Sequence, residues 1–157
     1  MGIDLQIAWQ SPELPDADDF GRWVDLALDG EEGELCLRLV DLDEGQQLNQ
    51  HWRGGDAATN VLSFPSDLSV PGLRHLGDIV VCGPVVLREA AEQRKTPVHH
   101  FAHLTIHGVL HLRGFDHVEA DEATVMEALE IELLAREGIP DPYAERPNSP
   151  AMAESGR

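Results

Sequence analysis

Between residues 99 and 111 histidine recurs at every fourth position, as His99, His103, His107 and His111. A four-residue repeat is what one face of an α-helix presents. The other faces of this segment are also apolar, with Phe101, Ala102, Leu104, Ile106, Val109 and Leu110 nearly all round. The helix, expected from about Pro97 to Leu112, is therefore a buried one. An HxxxH pair is a common two-point metal site, but three overlapping pairs do not say which is used. The residues after His111 choose. Gly114 lets the chain leave the helix through a left-handed turn, and His117 arrives six residues beyond His111.

The resulting string, HGVLHLRGFDH, places His, His, Gly and His at the spacing of the metzincin HExxHxxGxxH site, in which the third ligand swings back to complete a tripod. Three neutral imidazoles leave the fourth tetrahedral position open for water, as in a catalytic zinc site. A lone histidine on an apolar face is ordinarily a core residue with a backbone partner. Three at tripod spacing, with Gly114 between the second and the third, point instead to His107, His111 and His117 as ligands of one zinc ion. His103 reads either as a supporting group behind the ligands or as a core histidine. Gly108 stands where metalloproteases carry their general-base glutamate, which disfavours peptide hydrolysis. Zinc can activate water without such a base, so a phosphorus electrophile remains within reach. Asp116, next to the third ligand, is placed to orient an imidazole or accept a proton.

The rest of the chain supplies a framework. Ile3, Leu5, Ile7 and Trp9 alternate as a half-buried strand, stopped by Pro12 and Pro15. Phe20, Trp23, Val24, Ala27 and Leu28 form a helical stripe with acids in its first turn and Gly30 after its end. A second strand follows at Leu35 to Val40. Asp43 is a candidate cap for a short helix to about Trp52, and the glycine-rich run 53–59 is a loop. Asn60 to Phe64 and Leu76 to Cys82 read as the third and fourth strands, with a loop over 66–75. Gly83-Pro84 opens another helix with proline at its first position. The last helix is expected over Asp121 to Glu137, with Val125, Met126, Leu129 and Leu133 inward and Gly138 and Pro140 as its stop. Residues 1–143 form one domain in this reading, and 144–157 a polar, proline-rich tail.

Charge narrows the partners. With 29 acids against 11 bases the formal charge is −18, which opposes unspecific binding to nucleic acid or to an anionic membrane. Several acids cluster apart from the histidine motif: Asp16, Asp18 and Asp19, then Glu31, Glu32 and Glu34, then Glu127, Glu130 and Glu132. Any RNA contact must then rest on a local basic patch. Cys36 and Cys82 sit in apolar runs without a CxxC pair and read as small core residues of a reducing compartment. No apolar stretch approaches the ~18 residues of a membrane span, and the start MGIDLQ lacks the basic residues of a signal peptide. A cytoplasmic protein is expected.

At this point the residues resemble the YbeY family of rRNA maturation endoribonucleases, whose hallmark is HGxLHLxGxDH, here residues 107–117. Two further similar segments precede it in order, RGGDAATNVLSFP at 53–65 and LGDIVVC at 76–82, so the likeness spans about residues 34–143. The resemblance implies an α+β fold, a small mixed four-stranded sheet packed with about five helices around a metzincin-like zinc helix. It implies one Zn²⁺ per chain on the three histidines, and single-strand-directed RNA cleavage in 16S rRNA 3′-end maturation and ribosome quality control. rRNA and the small ribosomal subunit or its associated factors would be the partners, with no membrane and no DNA. The arginine of the family's RGxD segment maps to Arg53, whose planar guanidinium suits phosphate oxygens. Arg113 stands where the family commonly has Leu, and either adds a basic contact near the metal or is a surface change. Competing readings are a zinc hydrolase of another substrate and a non-catalytic, metal-stabilised ribosome assembly factor.

Overall fold

The structure, a computed structural model, describes residues 2–55, 57–66, 75–115 and 120–143. The elements run β1 (Gly2–Ile7), α1 (Ala17–Leu28), β2 (Glu34–Val40), α2 (Leu42–Arg53), β3 (Val61–Pro65), β4 (His75–Cys82), α3 (Gly83–Gln93), α4 (Pro97–Leu112) and α5 (Ala120–Arg136). The four strands form one mixed sheet in the order β1-β2-β4-β3. β1, β2 and β4 are parallel, and β3 pairs antiparallel with β4 at the edge. This is the α+β architecture expected, four strands and five helices.

Register explains which face is buried. Leu5, Leu37 and Ile79 are aligned across three strands, as are Ile7, Leu39 and Val81, and since side chains alternate these rows share a face. Against that face pack Phe20, Trp23 and Ala27 of α1 and Phe101, Ile106, Val109 and Leu110 of α4, all fully or almost fully buried. A smaller cluster of Val40, Leu62, Val80, Cys82 and Val85 lies apart from it, under Leu48 of α2.

α4 is the central helix, touching α1, α3, α5, β3 and β4. Its ends are set by local chemistry. The Thr96 side chain accepts from the His99 amide at 3.2 Å, and Pro97 follows in the first turn, where its missing N–H costs nothing. At the far end Gly114 has φ 103°. There the Gly114 amide bonds the His111 carbonyl and the Phe115 amide the Leu110 carbonyl, each at 3.0 Å, the paired closure of a Schellman turn. Only a residue without Cβ enters that turn cheaply, which is why the chain can break out of the helix three residues after His111.

Four local expectations are corrected. α2 is capped by Asp41, whose side chain accepts from the Glu44 amide at 2.9 Å, and not by Asp43, which falls in the first turn. Gly83, not Pro84, is the first residue of α3. Val125 faces outward, 56% exposed, because the inward stripe of α5 is Met126, Glu130, Leu133 and Leu134. Glu130, counted above with the acids apart from the histidine motif, is 0% exposed and bonds His103 and His107. Cys82 is buried and Cys36 half-buried, both as free thiols. No helix among the described residues is long and apolar enough to cross a membrane. The expected tail, 144–157, lies outside the described residues.

Candidate metal centre

His107 and His111 lie one turn apart on α4, with ring centroids 4.7 Å apart at 76°. Each is only part-buried. Behind them, α5 delivers a carboxylate into the core. Glu130 Oε2 lies 2.5 Å from His107 Nδ1, and Oε1 lies 2.9 Å from His103 Nε2 and 2.5 Å from the Tyr143 hydroxyl.

The protonation state of this cluster follows from its contacts. Burial pushes the Glu130 carboxyl upward, but hydrogen bonds from His103 and His107 outweigh it and hold the group well below the usual carboxylate range. Burial pushes the His103 imidazole down, against the pull of Glu130. An ionised Glu130 can only accept, so His107 Nδ1, His103 Nε2 and the Tyr143 hydroxyl each bring a proton to it. In the neutral tautomer this makes Nε2 the unprotonated nitrogen of His107. A carboxylate on one imidazole nitrogen, leaving the other as the electron-pair donor, is the usual support of a metal-ligating histidine. The donor chemistry therefore fits zinc at His107. His103 spends Nε2 on Glu130, the supporting role that sequence left open for it.

His117 and Asp116 lie outside the described residues. Among the described residues no group of three or more His, Cys, Asp or Glu side chains is arranged to hold a metal ion. His99 and His103, the alternative pair of the repeat, both line a small cavity with Arg94, Lys95 and the Ile139–Pro142 turn, while His103 also reaches Glu130.

Glu130 is the functional residue that sequence reading missed. Its signal was present, since it sits four residues after Met126 and three before Leu133, on the apolar face of α5. An acid in that stripe must have a buried partner, because an unpaired charge there costs several kcal/mol, on the order of 3–5 when a partner is removed.

Residues 11–138 match the family described as endoribonuclease YbeY. The chain belongs to the YbeY family. Among curated relatives, the endoribonuclease YbeY of Stutzerimonas stutzeri is 56% identical over 150 residues, covering 91% of each chain. That of Stenotrophomonas maltophilia strain R551-3 is 53% identical over 151 residues, covering 90% of this chain and 94% of its own. The solution structure of TM1509 from Thermotoga maritima shares the fold at 24% identity, with a TM-score of 0.56 over 85% of this chain and 90% of that one.

In this YbeY family member Gly108 has a steric cause. A Cβ there would sit 3.0 and 3.2 Å from Ile79 side-chain carbons and 3.3 Å from Ser63 Oγ. α4 lies so close to β3 and β4 that the metzincin glutamate would be crowded at this position. Ile79 is 0% exposed and has nowhere to yield. Gly108→Ala is therefore expected to lower the melting temperature, since overpacking costs about 1–3 kcal/mol against the ~1 kcal/mol that helix propensity returns. Gly108→Glu should do so far more. Thermal melts check this, and a Gly108→Ala protein more stable than the parent would refute the tight contact.

The two arginines behave differently. Arg113 donates to the Ala27 carbonyl at 2.9 Å, approaches Glu31 at 3.5 Å and lies over the Phe115 ring. It fastens the end of α4 to the end of α1, so neither a contact for substrate nor a surface change describes it. Arg53, at the last turn of α2, is exposed, lies 5.2 Å over the Phe64 ring and donates to the Ser63 carbonyl at 2.5 Å. Ser63 in turn donates through Oγ to the Gly108 carbonyl at 3.4 Å. One strand residue thus separates Arg53 from the His107–His111 turn.

Proposed function

We propose that this chain is a zinc-dependent endoribonuclease of single-stranded RNA, acting in 16S rRNA 3′-end maturation and ribosome quality control in the cytoplasm. rRNA and the small ribosomal subunit or its associated factors are its partners, and residues 1–143 are its one domain. His107, His111 and His117 hold one Zn²⁺, Arg53 binds the phosphodiester, and Asp116 orients an imidazole or takes a proton. The observation that carries the reading is the buried Glu130 carboxylate on His107 Nδ1, which in the neutral ring leaves Nε2 as the electron-pair donor.

Bound there, zinc supplies a Lewis acid that polarises a phosphoryl oxygen and lowers the pKa of water. The chain's own groups do the rest. Glu130 fixes the His107 ring and its tautomer. Arg53, exposed and anchored on β3, offers N–H donors toward charge building at phosphorus. A side chain at position 108 would press on Ile79 and Ser63, so packing disfavours a protease-type base at that place. The acidic total fits a substrate presented by a ribosome better than tight capture of free RNA.

The test is metal analysis joined to cleavage. The purified protein should carry one zinc per chain, and His111→Ala and His117→Ala should each lose it. RNA cleavage should stop with chelator and return with zinc, while casein stays intact. Full zinc retention in His117→Ala would overturn the ligand set. Equal RNA loss in chelated and zinc-loaded samples would overturn zinc dependence.

A further inference from the structure

The last turn of α2 carries a surface cluster that the metal centre leaves unused. Trp52 is 60% exposed, the most exposed of the large hydrophobic residues among those described. Its indole is flanked by His51, with centroids 4.7 Å apart, and by Phe64 of β3 at 6.1 Å, both edge-on. Arg53, the next residue, lies over the other neighbour, Phe64, at 5.2 Å. One aromatic edge of the molecule therefore joins a flat apolar surface to a cation with a planar fork. Both are tied to β3, whose Ser63 bonds the α4 backbone one residue beyond His107.

Charge gives this edge a direction. On the side of Trp52 toward the start of α2 lies an open cavity of about 730 Å³ lined by Asp41, Asp43, Glu44 and Trp52 itself. Arg38 also lines it, but Glu44 takes its guanidinium through two bonds, at 2.6 and 3.1 Å. That side repels a phosphate chain. Arg53, which does not line that cavity, attracts one.

We propose that Trp52 stacks on an unpaired nucleobase of the RNA while Arg53 holds the adjoining phosphate, so that this pair selects single-stranded over duplex RNA. The inference rests on the ribonuclease reading above and deepens it by naming the residue that recognises the unpaired strand. Stacking suits the task because every base has a π-face, whereas in a duplex those faces are covered by neighbouring pairs. The Trp52 ring is held by Phe64 and His51 before the RNA arrives, so little freedom is lost when a base docks.

The experiment compares wild type, Trp52→Ala and Trp52→Tyr with a fluorescently labelled single-stranded RNA dodecamer and the same strand in a duplex. Affinity is read by anisotropy and cleavage by gel. Trp52→Ala should weaken single-strand binding about 10-fold, within the ~5–150-fold span that one base–aromatic stack is worth. The loss should fall on KM and not on kcat, Trp52→Tyr should recover most of it, and duplex binding should not change. Strands with one abasic nucleotide locate the stacked base: one position should cost the wild type what Trp52→Ala costs, and cost Trp52→Ala nothing further. Unchanged single-strand affinity in Trp52→Ala, an equal loss on duplex, or no RNA binding by the wild type overturns the proposal. If the wild type binds RNA without cutting it, the ribonuclease reading falls, and the affinity comparison still decides the role of Trp52.

Discussion

Glu130→Ala is expected to unfold well below the parent and to bind zinc roughly 10–100-fold more weakly, the usual cost of removing the carboxylate behind a metal-ligating histidine. The side chain is 0% exposed and accepts hydrogen bonds from three groups, His103, His107 and Tyr143. Truncation removes the shared acceptor from all three part-buried donors. Breaking a buried charged cluster from one side costs about 3–5 kcal/mol, and in a domain of this size each kcal/mol lowers the melting temperature by about 2–4 °C. Melts without metal isolate the packing effect, and zinc titration isolates the ligand effect. Glu130→Gln keeps the volume and one accepting oxygen but turns an N–H₂ toward a second donor, so it should recover more stability than zinc affinity. A Glu130→Ala protein with parental melting and parental zinc binding would remove the support for His107 as a ligand.

The same carboxylate predicts a pH dependence. Its folded pKa lies below the unfolded one, so the folded state binds that proton less readily and stability rises with pH across the interval. The contribution is present in full above the ordinary carboxylate value of about 4.3 and is lost as pH falls below it toward the depressed folded value. Glu130→Gln should therefore have a flatter acid limb than the parent when melting is followed from neutral pH downward.

The helix that carries His107 and His111 was legible because its signals are local. The four-residue histidine repeat, Thr96-Pro97 at one end and Gly114 at the other set both ends of α4, and each acts within one helical turn. Sheet order is a different kind of fact. Alternation marks β1, β2, β3 and β4 as strands, yet nothing in Val61–Pro65 says that it pairs antiparallel with β4 at the edge. That choice is made by packing against α4, tens of residues away. Glu130 and Val125 show the same division on one helix. Residue type sends an acid outward and a valine inward, but the phase of the stripe through Met126, Leu133 and Leu134 does the reverse. Phase wins because turning the helix to bury Val125 would expose three large apolar side chains, against a single carboxylate that His103, His107 and Tyr143 satisfy. Arg113 was ambiguous for a related reason: its partner, the Ala27 carbonyl, is 86 residues distant in sequence.

Arg53→Ala is expected to keep zinc and fold while losing about 10²–10³ in the rate of RNA cleavage, the usual cost of removing one donor aimed at developing charge. Stability should change little, because the side chain is exposed and its hydrogen bond goes to a backbone carbonyl of the edge strand. That anchor matters for the chemistry. The bond to Ser63 and the contact with Phe64 hold the guanidinium near the turn that carries His107, and an arm fixed beforehand loses less freedom when it meets phosphate. Arg53→Lys should recover only part of the rate, since an ammonium retains the charge but cannot keep the Ser63 bond and present a planar fork together. Zinc content and melting temperature measured beside the rates separate a lost donor from a lost fold. A wild-type rate in Arg53→Ala would leave this arginine no part in the chemistry. Arg113 could not then take its place, because its guanidinium is committed to Ala27 and Glu31, and the phosphate would have to be met by a group supplied from the ribosome side.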